Sequence, residues 1–200
     1  DFGLKHINYT YQKCEGGIAA ALSLADDFAD GDKIIVVLGD NIIEKNIKAA
    51  ADKFRAQKEG ARILLKEVSD PQRFGVPVFD GKKIIRIEEK PKQPASNYAV
   101  IGIYMYDYRV FEFIKSLKPS QRGELEITDA IQWLVDHKFS VHPYIHRGWW
   151  IDTGRPDDML EANDVVLEEI DYVIEGYVDR DSQVGRRVAV QRGAEIVNSI

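Results

Sequence analysis

Two aspartates stand directly after apolar segments and are candidates for metal chemistry. Asp40 follows the run IIVVLG and precedes Asn41, and Asp152 follows GWWI. A carboxylate at the carboxyl end of a buried strand lies where open α/β sheets hold their ligands. Mg²⁺ is bound by one or two carboxylates together with phosphate oxygens, which suits phosphoryl or nucleotidyl transfer. A lone Asp after a strand is also a common turn residue or helix cap, so position alone leaves both interpretations open.

Asp152 also belongs to an Asp-Thr-Gly triplet, the motif that carries the carboxylate of aspartic proteases. Those enzymes need two such motifs, or a dimer of an all-β fold. This chain alternates helix and strand patterns instead. We therefore do not expect a protease.

Three further polar segments lie in predicted loops or at strand ends: QKCEGGI (12–18), EEKP (88–91) and RGELEITD (122–129). The paired glycines of the first segment allow close backbone approach to an anion or a base at a helix start, although a plain strand–helix turn explains them equally well. Neighbouring strand residues point to opposite faces, so only one of Glu88 and Glu89 can face a pocket. Surface capping accounts for much of the third segment.

Composition restricts the class of protein. The length of 200 residues suits one sizeable α/β domain, or a domain with a small appendage, and a composition of 44% hydrophobic and 30% charged residues is typical of a soluble globular protein. The net charge of −6 comes without a basic stripe, so we expect no nucleic-acid partner. No apolar run approaches the roughly 18 residues of a membrane span, and we expect no membrane partner. The lone Cys14 cannot form an internal disulfide, which fits the cytoplasm.

Helix and strand patterns alternate along the chain. Predicted strands are HINYTYQ (6–12), DKIIVVLGD (32–40), ARILLKEVSD (61–70), NYAVIGIYMYD (97–107) and FSVHPYIH (139–146), with a hairpin over 76–91 that turns at Asp80-Gly81. Predicted helices cover 16–29, 46–60 with Gly60 closing it, 110–117, 124–138 and 155–170. The apolar run at 34–38 predicts a strand buried on both faces. The alternation predicts an α/β fold with a Rossmann-like, mostly parallel mixed sheet flanked by helices.

Beyond residue 174 a six-residue repeat replaces this alternation. One register of the repeat holds Val178, Val184, Val190 and Ile196, and a second holds Gly176, Ser182, Val188, Ala194 and Ile200. This period predicts a parallel β-helix, with two ordinary strands as the alternative. The predicted domains are therefore 1–170 for the core and 171–200 for the start of the β-helix. Because such coils stabilise one another, we expect the array to continue past Ile200.

Taken in order, these motifs resemble the sugar-1-phosphate nucleotidyltransferases, within them the glucose-1-phosphate thymidylyltransferase group. The matching segments are VVLGDNII, DPQRFGV, IEEKPKQPASNYAVIGIYMYD, RGELEITD and WWIDTG. The resemblance implies that dTTP and glucose 1-phosphate react to dTDP-glucose and pyrophosphate by Mg²⁺-assisted in-line attack. The repeat resembles the left-handed β-helix of long-form members.

The resemblance also implies a role for individual residues. The implied metal ligands are Asp40 and Asp152, and the implied base-binding residues are Gln12 and Gly17. The implied sugar-binding positions are Asp40, Gly75, Glu89 and Val100, with Tyr104 close by. The resemblance implies that Lys90 contacts the sugar phosphate and that Arg122 lies on the phosphate side of the site.

Two departures from the family pattern affect the expected activity. The 200 residues contain no Gly-rich loop of the form GxGTRLxPxT, which holds the triphosphate in the family. Cys14-Glu15 stand where many members carry a proline and an acidic residue. We therefore expect the full-length protein to be an enzyme and a homo-oligomer, and these residues alone to be inactive or nearly so.

Three other functions remain open on the sequence. One is uridylyl or other nucleotidyl transfer to a different sugar phosphate, and another is a non-catalytic regulatory relative. The repeat also occurs in acyltransferases, but here it carries no histidine. The four histidines of the chain, and Trp149 and Trp150, are expected to be structural.

Overall fold

The fold was obtained as a computed structural model that describes residue 3, residues 6–13 and residues 15–200. The chain forms two compact units, Asp1–Trp150 and Ile151–Ile200. The strands up to the start of the second unit are β1 (Ile34–Val37), β2 (Asn41–Ile43), β3 (Ala61–Glu67), β4 (Gly75–Asp80), β5 (Lys83–Glu89), β6 (Tyr98–Tyr106), β7 (Val141–Ile145) and β8 (Trp150–Asp152). The α-helices of the first unit are α1 (Gly17–Ser23), α2 (Asp26–Ala29), α3 (Lys48–Ala56), α4 (Arg109–Ile114) and α5 (Ile127–Asp136), with a 3₁₀ turn at Pro71–Arg73.

The main sheet has four strands in the order β1-β6-β3-β7. Strand β6 runs antiparallel to both β1 and β3, whereas β3 and β7 are parallel. The prediction of a mostly parallel sheet is therefore only partly right: β1, β3 and β7 share one direction, but β6 separates β1 from β3. The physical reason is the hairpin of β4 and β5, because the chain leaving it returns through the sheet in the opposite direction.

Helices cover both faces of this sheet, as the α/β pattern predicts. On one face, α1, α4 and α5 pack on alternate residues of the central strands, such as Ile63 and Tyr104. On the other face, Ala50 and Phe54 of α3 pack on Leu64 and Ile101. Strand β6 is buried along nearly its whole length. It is the rigid centre from which the neighbouring loops extend.

The two predictions for the N-terminal part of the sheet are wrong for the residues that the structure describes. Strand β1 is an edge strand, and Ile35 and Val37 are 45% and 54% exposed on one face, so it is not buried on both. Residues 6–13 form no strand, because no described residue pairs with their backbone. Tyr9 and Tyr11 there are 86% and 89% exposed.

Most other predicted elements are confirmed, with two differences in detail. The helix predicted over 16–29 divides into α1 and α2. Gly60 does not close α3, which ends at Ala56. The Lys33 ammonium instead donates to the carbonyls of Phe54, Arg55 and Gln57 at the C-terminal end of that helix. A lysine thus satisfies the terminal carbonyls for which the sequence suggested a glycine.

The second unit begins with the end of β8 and contains helix α6 (Pro156–Glu168), with Pro156 in its first turn as predicted. Four two-residue strands follow: β9 (Val173–Ile174), β10 (Tyr177–Val178), β11 (Ala189–Val190) and β12 (Glu195–Ile196). They form two parallel pairs, β9 with β11 and β10 with β12. Across the chain that the structure describes, no helix combines the length and apolarity that crossing a membrane requires.

Candidate active site

Gly75 and Glu89 lie opposite each other where β4 begins and β5 ends. Gly75 is buried, and a Cβ added to it would lie 3.0 Å from the Thr128 methyl carbon and 3.5 Å from the Glu89 carboxylate. Any side chain at position 75 would therefore occupy the space beside that carboxylate. The two residues that the resemblance assigns to one sugar pocket are brought together here.

Glu88 and Glu89 point to opposite sides of β5, as strand alternation requires. Glu88 forms an ion pair with Arg86. Glu89 lies with its carboxylate 3.7 Å from the Arg122 guanidinium. Glu89 is therefore the one of the pair that faces the cluster of implied site residues.

Lys90 follows Glu89 in a left-handed backbone conformation, with φ of 44°. Its N–H donates to the Phe74 carbonyl at 3.0 Å, which holds this turn against the segment before β4. The positive charge of Lys90 favours the ionised forms of both Glu89 and Glu126. Lys90, Arg122 and the two carboxylates therefore form one electrostatic cluster.

The loop before α5 positions Arg122 through Glu126, which is not among the site residues that the resemblance implies. The Arg122 Nε donates to Glu126 Oε1 at 3.1 Å, and its Nη2 donates to Glu126 Oε2 at 2.7 Å. The only sequence signal for this pair is the four-residue spacing within RGELE, which also suits a surface ion pair.

A second loop, which holds Gln12 and Gly17, is joined to the Arg122 loop through backbone hydrogen bonds. The Leu125 N–H donates to the Gly16 carbonyl at 2.8 Å, and the Ala19 N–H donates to the Leu125 carbonyl at 3.3 Å. The Gln12 side-chain amide reaches the Gly17 carbonyl at 3.5 Å. The implied base-binding residues therefore lie against the loop that carries Arg122.

Val100 and Tyr104 lie on β6 inside the large hydrophobic cluster, where they are 6% and 4% exposed. The Tyr104 ring stacks on Tyr106 with centroids 6.0 Å apart. Both residues are thus part of the packed wall of the sheet rather than of an open surface.

Asp40 lies in the turn between β1 and β2, and its neighbour Asn41 fixes that turn. The Asn41 side chain donates to Asp40 Oδ1 at 2.7 Å and accepts from the Gly102 N–H at 3.3 Å and from the Trp150 indole N–H at 2.6 Å. Gly102 belongs to β6, so these bonds tie the turn to the centre of the sheet. Asp40 therefore has a defined position at the carboxyl end of β1.

Asp152 ends β8 in the second unit, where its Oδ1 accepts from the Gly154 N–H at 3.0 Å. Asp40 and Asp152 each carry a carboxylate, the kind of hard oxygen ligand that Mg²⁺ prefers, and a magnesium site needs only one or two carboxylates when phosphates and water complete it. Their chemistry therefore fits the ion. Within the described residues no group of three or more metal-binding side chains is preassembled.

Two of the four histidines, His137 and His146, and the tryptophan Trp150 have structural partners. His146 is buried with its Nε2 3.3 Å from the Trp149 carbonyl, and the His137 ring stacks on Trp133 at 4.0 Å. The Trp150 ring packs edge-on against Phe74 with centroids 5.1 Å apart.

Comparison with known proteins identifies the group to which this arrangement belongs. The sequence profile of the family described as Nucleotidyl transferase matches residues 2–169. The chain belongs to the nucleotidyl transferase family.

The chain is similar to several curated proteins. It is 40% identical over 195 residues to the low-salt glycan biosynthesis nucleotidyltransferase Agl11 of Haloferax volcanii, covering 97% of this chain and 54% of the relative. It is 39% identical over 199 residues to a glucose-1-phosphate thymidylyltransferase of Streptomyces griseus, covering 99% of this chain and 56% of the relative. The chain thus spans about half the length of these curated relatives.

Solved structures agree with that assignment. A Bacillus anthracis protein described as a glucose-1-phosphate thymidylyltransferase, in complex with sucrose, is 47% identical with a TM-score of 0.75, over 82% of this chain and 66% of that chain. A UDP-glucose pyrophosphorylase complexed with UDP-glucose is 22% identical with a TM-score of 0.71, over 81% of this chain and 66% of that chain, and shares the fold.

The Glu89 carboxyl makes the stability of the folded chain depend on pH. Partial burial of the side chain, which is 29% exposed, and the negative charge of Glu126 raise the pKa of Glu89, although the positive charges of Lys90 and Arg122 oppose the rise. Because the folded state binds this proton more tightly than the unfolded chain, the stabilising contribution is present at low pH. It is lost as the pH rises from the ordinary pKa of a glutamate through the raised value.

We therefore expect Glu89→Gln to gain stability relative to the wild type as the pH rises from 4.5 to 7.5. Urea unfolding at several pH values measures the difference in free energy of unfolding. Glu88→Gln, on the opposite face of the same strand, is the control for removing a carboxylate from β5. A Glu89→Gln difference that stays constant or shrinks with pH would contradict the prediction.

Proposed function

We propose that the whole protein transfers a nucleotidyl group from a nucleoside triphosphate to a sugar 1-phosphate. The cluster of Glu89, Lys90 and Arg122 beside Gly75, in a member of the nucleotidyl transferase family, is the observation that carries the proposal. An oxygen of the sugar phosphate attacks the α-phosphorus of the triphosphate in line. The bond from that phosphorus to the bridging oxygen breaks, and pyrophosphate leaves.

We assign the sugar to the side of Glu89 near Gly75, because a carboxylate accepts hydrogen bonds from sugar hydroxyls and a side chain at position 75 would crowd that carboxylate. Lys90 and Arg122 are assigned to the phosphate, whose negative charge they would neutralise. Val100 and Tyr104 support the sugar side from within the core. Gln12 and Gly17 are assigned to the base.

We assign Mg²⁺ to Asp40 and Asp152. When bound, the ion neutralises charge on the phosphates and helps to align them for in-line displacement. The role of the protein is to hold the two carboxylates, and for Asp40 the hydrogen bonds of Asn41 supply that support.

dTTP and glucose 1-phosphate are the proposed substrates, with dTDP-glucose as product. Several relatives near 40% identity carry the name glucose-1-phosphate thymidylyltransferase, which supports this choice. Relatives named Agl11 and bifunctional protein GlmU, at 40% and 37% identity, favour a different base or sugar as the second candidate. Turnover therefore has to be compared among several substrate pairs.

We further propose that residues 171–200 begin a left-handed parallel β-helix and that residues 1–170 belong to the catalytic core. Val178 pairs in parallel with Ile196, eighteen residues later, which equals three of the six-residue steps. Cytoplasmic location and homo-oligomeric assembly of the whole protein are part of the same proposal.

The experiment measures pyrophosphate release by the whole protein with glucose 1-phosphate and either dTTP or UTP, and then with dTTP and N-acetylglucosamine 1-phosphate. We expect the highest kcat/KM for dTTP with glucose 1-phosphate. A higher kcat/KM with another pair of substrates would show that the other pair, and not dTTP with glucose 1-phosphate, is the substrate pair of the protein. Absence of turnover with every pair, together with calorimetric binding of a nucleotide sugar, would favour a regulatory relative. The isolated residues 1–200 should form no measurable dTDP-glucose.

A further inference from the structure

Three carboxylates surround the Arg122 guanidinium, and they do not contact it in the same way. The Nη2 atom lies 2.7 Å from Glu126, 3.4 Å from Glu124 and 3.7 Å from Glu89. The Glu126 side chain is only 11% exposed, whereas that of Glu124 is 42% exposed. Glu126 is therefore the buried partner, and Glu124 is a solvent-facing neighbour whose contribution salt and water reduce.

Glu126 binds one edge of the guanidinium with both carboxylate oxygens. The hydrogen bonds from Nε and Nη2 form the parallel fork that fixes an arginine in direction as well as in distance. The Ser120 hydroxyl donates to Glu126 Oε1 at 2.7 Å and accepts from the backbone N–H of Arg122 at 3.1 Å. Glu126 itself precedes the first residue of α5, so a packed helix anchors the whole arrangement.

The ionised form of Glu126 is favoured at this position. Burial alone would raise its pKa, but hydrogen bonds from Arg122 and Ser120, with the charges of Arg122 and Lys90, outweigh burial and lower the pKa. The pair therefore remains charged at neutral pH.

The fork uses the Nε and Nη2 edge and leaves the Nη1 end of the guanidinium available. Within the residues that the structure describes, Nη1 takes part in no hydrogen bond, and the contact recorded with each of the three carboxylates is made by Nη2. The side chain of Arg122 is 41% exposed, so it is open in part to an incoming anion. An arginine held by one edge presents its remaining donors in a single direction and loses little further entropy on binding.

We propose that Glu126 is a positioning residue, which acts through Arg122 to aim the Nη1 end at the phosphate of the sugar 1-phosphate. This inference rests on the proposed function. Glu126 does not touch the substrate; its effect is on the direction of the guanidinium.

The test is a set of variants of the whole protein assayed with both substrates varied. Glu126→Gln loses the charge and one acceptor of the fork, so we expect kcat/KM for the sugar 1-phosphate to fall about 10- to 100-fold. The KM for the triphosphate should change less than about threefold, because it is Arg122 alone that loses its orientation. Glu126→Asp keeps the charge and should recover part of the loss. Glu124→Gln is the matched control and should stay within about twofold of the wild type.

A double-variant cycle separates positioning from a merely structural role. In Arg122→Lys the fork is already lost, so adding Glu126→Gln should cause no further decrease in kcat/KM. Additive losses, or equal losses for both substrates, would overturn the inference while leaving the proposed function standing. An inactive wild-type protein would instead overturn the proposed function.

Ser120→Ala provides a variant that leaves both charged residues in place. It removes one hydrogen bond to Glu126, and we expect a three- to tenfold loss with the same selectivity for the sugar 1-phosphate. If Glu126→Gln does not fold, this variant decides the question: a loss that is selective supports the inference, and an unselective or absent loss contradicts it.

Discussion

Replacing Asp40 with asparagine is expected to reduce nucleotidyl transfer by the whole protein about 100- to 1,000-fold and to leave the fold intact, since one preorganised electrostatic group is worth about that much. The substitution removes the negative charge of the Asp40 carboxylate, which we assign as a ligand of Mg²⁺. It preserves the local structure, because the asparagine carbonyl oxygen can still accept the 2.7 Å hydrogen bond from Asn41. The loss should therefore appear in kcat rather than in stability.

Two measurements separate the metal role of Asp40 from a general disturbance. The Mg²⁺ concentration for half-maximal rate should rise in Asp40→Asn, and Mn²⁺ binding followed by electron paramagnetic resonance should weaken. Asp32→Asn, an exposed aspartate ahead of β1, is the matched control and should behave as the wild type. Turnover of Asp40→Asn within a few fold of the wild type would remove Asp40 from the metal site.

The pattern of the sequence predicted most elements of the fold, but not the direction of β6. Its residues Tyr98–Tyr106 form an apolar strand that is buried on both faces, which is the pattern of a central strand in either direction. The direction of β6 depends on the path of the chain through the preceding β4–β5 hairpin, and the composition of a strand does not indicate that path. The exposure of Ile35 and Val37 has a similar cause, because a run of apolar residues does not reveal whether a strand lies at an edge.

The residues of the candidate site were assigned where segments of the sequence resemble a family. Gly75, Glu89 and Lys90 were found through segments that resemble a family, and the structure places Gly75 opposite Glu89. Glu126 was not found, because a glutamate four residues after an arginine is common on protein surfaces. Only its burial and the two-oxygen fork distinguish it from an ordinary surface ion pair.

The contact between the Gly17 loop and the Arg122 loop was also beyond the sequence. Gly16-Gly17 indicated a turn that suits a ligand, but the sequence does not reveal which other segment of the chain packs against that turn. In the fold that backbone belongs to Leu125, three residues after Arg122. The base-binding and phosphate-binding residues of the proposed site therefore depend on one shared contact.

Gly17→Ala is expected to lower both stability and activity, because a methyl group would separate these two loops. Gly17 has a φ of +82°, and an added Cβ would lie 2.7 Å from the Leu125 carbonyl oxygen and 3.1 Å from its nitrogen. The left-handed conformation alone costs about 1–2 kcal/mol for alanine. Backbone atoms cannot rotate away, so the clash adds to that cost and breaks the bonds between Leu125, Gly16 and Ala19.

Gly31→Ala is the matched control for this substitution. Gly31 has nearly the same φ, +78°, but an added Cβ there would meet nothing within 4 Å. It should therefore lose about 1–2 kcal/mol of stability from the backbone alone and keep its activity. In Gly17→Ala we expect a larger loss in urea unfolding and a decrease in kcat/KM of about 100-fold, since a displacement of about 1 Å at a reacting group has that effect. Equal losses of stability and of kcat/KM in the two variants would mean that the contact between the two loops does not matter. Other contacts would then have to position Arg122.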